Sequence, residues 1–66
     1  MQLQPYQQRV MDEMVELNER KSRLDKFIVA ESFLSLDKTD QGLLLAQSEA
    51  MGAYLRILGL RVLRFK

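Results

Sequence analysis

The sequence predicts an all-α protein, an antiparallel hairpin of two long helices that assembles into a helical homo-oligomer. Three observations carry this reading. Apolar residues recur at threes, fours and sevens over two segments of more than 20 residues, which is a helical period. Turn-forming residues concentrate in one central stretch, "ESFLSLDKTDQG". The chain is also too short, at 66 residues, to bury all its aliphatic side chains in one hairpin.

The first helix is placed at about residues 4–30. Pro5 suits a first helical turn, where its missing N–H costs nothing. Val10, Met14, Leu17, Leu24 and Ile28 then line one face. Glu16 with Arg20, and Glu19 with Arg23, stand four apart in the favoured acid-first order and read as a solvated face.

Residues 31–36 are a compact connector with room for one helical turn, its Phe33 plugging the end of the hairpin. The second helix is placed at about residues 37–64, with Asp37 and Asp40 at its positive end. Its inner stripe is read as Leu44, Met51, Tyr54, Leu55, Leu58, Val62 and Phe65. Leu45, Leu63, Gly52 and Gly59 fall on one flank of that stripe, and Leu60 and Ile57 toward its back. Leaving so many aliphatics in water would forgo about 1.5–3 kcal/mol each, so Leu45, Gly52, Gly59, Leu60 and Leu63 are the expected contacts between copies.

Charge is asymmetric. Residues 1–49 hold six basic and nine acidic residues, whereas residues 50–66 hold Arg56, Arg61, Arg64 and Lys66 with no acid. An antiparallel hairpin returns this basic end beside Asp12, Glu13 and Glu16, and pairing Ile28 with Leu44 predicts a Glu13–Arg61 salt bridge. The four cations point to different sides of the helix, which argues against tracking a nucleic-acid backbone.

Six polar residues are candidates for ligand contact. Lys21 completes the apolar series of helix one; it either packs its stem and carries its ammonium to the edge, or meets an anion in an oligomer cavity. Gln47, Tyr54 and Arg61, seven apart, form one line along helix two that could bond a polar ligand or the same line of a second subunit. Tyr6 and Arg9 could stack on a base and hold a phosphate, or Tyr6 could simply close the hairpin against Phe65.

Catalysis is not expected. The chain has neither His nor Cys, no Gly-rich phosphate loop, and carboxylates spread along one helix among Lys and Arg. No metal or other cofactor is expected for the same reasons. The start is not read as a secretory signal, and the longest nearly uncharged run, residues 43–55, is short of the ~20 apolar residues a spanning helix needs. A basic, Leu-rich helix could still lie on a membrane surface, but Arg61 interrupts its apolar side.

The elements "QQRV", "KFI", "LLxxQ" and "AMxxYxxIL" are spread over nearly the whole chain. In them the chain resembles a family of very small helical proteins of tailed bacteriophages and prophages, including crAss-like phages. That resemblance implies a phage accessory protein, made in the cytoplasm of a bacterial host and built as a helical hairpin. The function expected is binding: counter-defence or host takeover by sequestering a small anionic, nucleotide-like signal or a host protein. The alternatives are an assembly module without ligand and a basic amphipathic helix acting at membrane surfaces.

Overall fold

The computed structural model describes residues 3–65, which form three helices: α1 (Pro5–Ile28), α2 (Glu31–Leu34) and α3 (Lys38–Leu63). Both long helices end about one or two residues inside the expected limits, and the connector contains the single short turn that its residues 31–36 allowed.

Each start has a local cause. Pro5 occupies the first turn of α1, and Gln7 accepts a hydrogen bond through Oε1 from the backbone N–H of Gln4 at 2.8 Å. Asp37 is the N-cap of α3, its Oδ1 accepting from the backbone N–H of Asp40 at 2.8 Å. Removing that acceptor by Asp37→Ala should cost about 1 kcal/mol, a loss that urea unfolding followed by circular dichroism would register.

The long helices pack antiparallel. Tyr6 near the start of α1 meets Phe65 just past the end of α3, their rings edge-to-face with centroids 6.0 Å apart. Farther along, Glu13 bonds Tyr54 and Asp25 bonds Ser48, so contacts descend in α3 as they rise in α1. At the closed end Phe33 is buried and sets its ring edge-on to Phe27, with centroids 6.0 Å apart. The side-chain amide of Gln41 donates to the carbonyl of Leu36 at 2.9 Å and ties the connector to α3.

The seam explains the packing. In α1 Gln7, Val10, Met14, Leu17, Lys21, Leu24 and Ile28 are spaced alternately three and four apart, and all are buried or half-buried. In α3 the same alternation gives Leu44, Ser48, Met51, Leu55, Leu58 and Val62, continued by Phe65 just past its end, again all removed at least partly from water. This is the knobs-into-holes spacing of a short antiparallel coiled coil. Tyr54 therefore does not belong to the inner stripe: it lies on the edge and is 39% exposed, while Ser48 takes the vacant seam position.

The core is thin. Val10, Leu17 and Leu58 form its buried centre, with Met14, Met51, Leu55, Val62 and Phe65 packed around them. Leu45, Ile57, Leu60 and Leu63 stay in water, as does Val15 of α1.

Candidate functional site

Three seam positions are polar where the spacing calls for apolar residues: Gln7 at the open end, and Lys21 and Ser48 farther in. Asp25, one turn after Lys21, joins the latter two. Its Oδ2 accepts from the Lys21 ammonium at 2.6 Å and its Oδ1 from the Ser48 hydroxyl at 2.6 Å. A residue of each long helix thus meets one carboxylate, which fixes how α1 slides against α3; a polar layer in a coiled-coil seam specifies register in this way.

The Lys21 hydrogen bond, then that of Ser48, holds the Asp25 carboxyl below the ordinary aspartate range. A carboxyl depressed on folding stabilises the folded state at pH values above its unfolded value of about 3.9, and that contribution fades as pH falls through the lower folded value. Asp25→Asn should therefore lower Tm at neutral pH and narrow its gap to the parent protein as the buffer is acidified below about pH 4.

Lys21 packs its stem in the seam and turns its ammonium to Asp25 at the edge. The stem runs across Gly52: a Cβ there would lie 3.2 Å from Lys21 Cε. Gly52 thus faces the stem of Lys21 on its own partner helix. At Gly59 an added Cβ would meet nothing within 4 Å.

The expected Glu13–Arg61 salt bridge is not formed. Glu13 Oε2 instead accepts from the Tyr54 hydroxyl at 2.5 Å, since the phenol one heptad before Arg61 reaches the same carboxylate. That hydrogen bond raises the Tyr54 pKa, because ionisation would remove the donated proton beside a carboxylate. Among the described residues the ion pairs are Lys21–Asp25 and a loose, exposed Glu16–Arg20 contact at 3.9 Å; Glu19 and Arg23 do not meet.

The six ligand candidates do not converge. Lys21 stands on the flank of the seam that holds Asp25, whereas Tyr54, with Gln47 and Arg61 in its line, belongs to the opposite flank. Tyr6 is at the open end, engaged by Phe65 and by the Gln7 amide at 3.3 Å, and Arg9 is exposed beside it.

What the fold does assemble is a cleft beside the polar layer. About 590 Å³ is lined by Asn18, Lys21, Ser22, Asp25, Lys26, Val29 and Leu55. Leu55 and Val29 give it apolar surface, Asn18 and Ser22 an amide and a hydroxyl, and two ammonium groups against one carboxylate leave it one net positive charge. An adjoining groove of about 320 Å³, between Met14, Val15, Asn18 and Leu55, continues it along the same flank. Of the sequence candidates only Lys21 lines the cleft. Asn18, Ser22, Asp25 and Lys26 were missed because each by itself resembles ordinary helix surface; the signal was the spacing of Ser48 between Leu44 and Met51, opposite Lys21.

Among the described residues no group of three or more acidic side chains is placed to hold a metal ion, and no helix is long and apolar enough to cross a membrane. The chain is thus a small all-helical protein organised on one polar-layered seam with a charged cleft at its side. It belongs to the Sequestin family, whose model matches residues 4–64. Neither the curated proteins nor the solved structures contain a match.

Proposed function

We propose that this protein is a phage accessory factor that acts by binding without catalysis. As a helical hairpin assembled with copies of itself in the bacterial cytoplasm, it sequesters a small anionic, nucleotide-like signal and so blunts a host response. The cleft is the observation that carries this reading. Its volume lies within the about 300–1,000 Å³ usual for ligand sites, and it combines apolar walls with a few convergent polar groups. A ring can rest on Leu55 and Val29 while Lys26, which has no ion-pair partner among the described residues, meets a phosphate as a point charge. The family's name, which speaks of sequestering, supports a holding role.

Isothermal titration against mononucleotides and cyclic dinucleotides tests this. A saturable site is expected, weakened by Lys26→Ala and also by higher salt, since its charge is exposed. Indifference to every nucleotide, together with capture of a defined host protein, would move the reading to a protein target; indifference to both would leave an assembly module. The membrane-surface alternative gains nothing from α3, whose apolar residues surround the helix instead of sharing one side.

A further inference from the structure

We infer that a second copy of this chain seats on the flank formed by Val15, Leu55 and Gly59, and that it thereby supplies the missing wall of the cleft. The first ground is area. A folded monomer of 7.7 kDa is expected to expose about 4,300 Å². This chain exposes 5323 Å². The difference of roughly 1,000 Å² resembles the ~800 Å² that each partner buries in a standard stable interface. Its cause is shape, for the molecule is a rod of 49 × 15 × 14 Å with little interior.

The second ground decides which side of the rod is covered. The two flanks of the seam differ in chemistry. One is closed by the Tyr54–Glu13 hydrogen bond and lined by Arg20, Gln47 and Arg61, polar groups that water serves well. The other holds the apolar groove between Met14, Val15 and Leu55, which is the depression a packed helix fills. Val15 is 55% exposed at its rim, and Leu63, on the same flank, is 80% exposed. At Gly59 there is open space where a side chain would stand, so a neighbouring helix can approach the backbone closely.

A two-fold arrangement satisfies this flank with itself, the same patch contributing from both chains. Because groove and cleft share Asn18 and Leu55, a helix lodged in the groove stands at one end of the cleft. The cleft is then bounded by two chains, an addition that rests on the binding reading above, whereas the pairing itself does not.

Light scattering coupled to gel filtration, over a dilution series, tests the pairing on the whole chain and on Val15→Asp. Val15 is exposed in the single chain, so the variant should keep its helical circular dichroism while its mass falls to that of one chain. Leu60→Asp, at the back of α3, should keep the parental mass. A parent protein that stays monomeric at high micromolar concentration, or a Val15→Asp variant with undiminished mass, would overturn the pairing. Titration with a cyclic dinucleotide then separates the two ideas. A shared cleft predicts about tenfold or greater weakening in Val15→Asp, since the binding-competent pair is depopulated. Equal affinity of the monomeric variant and the parent would sink the shared cleft and leave the binding reading intact. Absence of binding to any nucleotide by a protein that does pair would sink the binding reading and leave the pairing intact.

Discussion

Leu58→Ala should be the most destabilising single truncation in this chain, lowering Tm by more than ten degrees or abolishing the folded state at ambient temperature. Leu58 is 0% exposed, the most completely buried side chain of the described residues, and sits at the centre of the cluster with Val10 and Leu17. Leucine truncation in a core costs about 2–5 kcal/mol, from lost transfer energy and from the cavity left behind. A chain of this length has only roughly 3–10 kcal/mol to lose at the usual stability per residue. Each kcal/mol moves the midpoint of so small a domain by roughly 4–8 °C. A thermal melt by circular dichroism reads the result directly. A shift of only two or three degrees would mean that α1 and α3 do not close over this residue as described.

Phe33→Ala should come second and act differently. Phe33 is buried at the closed end, edge-on to Phe27, and it is the main apolar anchor of the connector. Phenylalanine truncation costs about 3–5 kcal/mol in a closed core, with the lower figure expected here because the short connector can collapse around a void more readily than the middle of the seam. Hydrogen exchange should show faster opening of amides around residues 28–38 than along the middle of the seam, as local unfolding begins where contacts are few. Uniform acceleration throughout α1 and α3 would show instead that Phe33 belongs to the main core. Phe33→Leu should recover part of the loss, since it restores volume without the ring pair.

The long helices were legible because Val10, Met14, Leu17 and Ile28, and later Leu44, Met51, Leu58 and Val62, hold one period for about five turns. Propensity and pattern agree there, and Pro5 in the first turn of α1 and the Asp37 cap of α3 mark both starts. Tyr54 misled the reading because an aromatic ring at the border of an apolar stripe is equally suited to core and edge. The strict alternation of three and four selects Ser48 and leaves Tyr54 outside, where its hydroxyl finds Glu13.

The polar layer was half legible. Lys21 stood out as a charge in an apolar series, and Asp25 lies four residues on, a spacing at which side chains meet. What could not be read from one helix was Ser48, 23 positions beyond Asp25, because that contact exists only once the chain has turned back. Gly52 illustrates the same limit: a glycine on a helix flank signals close approach without saying by which neighbour, and the neighbour proves to be the stem of Lys21. The cleft is harder still, since a concavity between Asn18, Lys26 and Leu55 is a property of two helices together and of neither alone.

Native mass spectrometry of the untagged protein, taken gently from the cells that make it, tests the central claim most directly. It weighs the assembly and whatever the assembly holds at once. The binding account predicts a complex of two or more chains that retains a small anionic molecule, released when the protein is denatured. A bare single chain carrying no small molecule, from cells in which the protein is active, would contradict it.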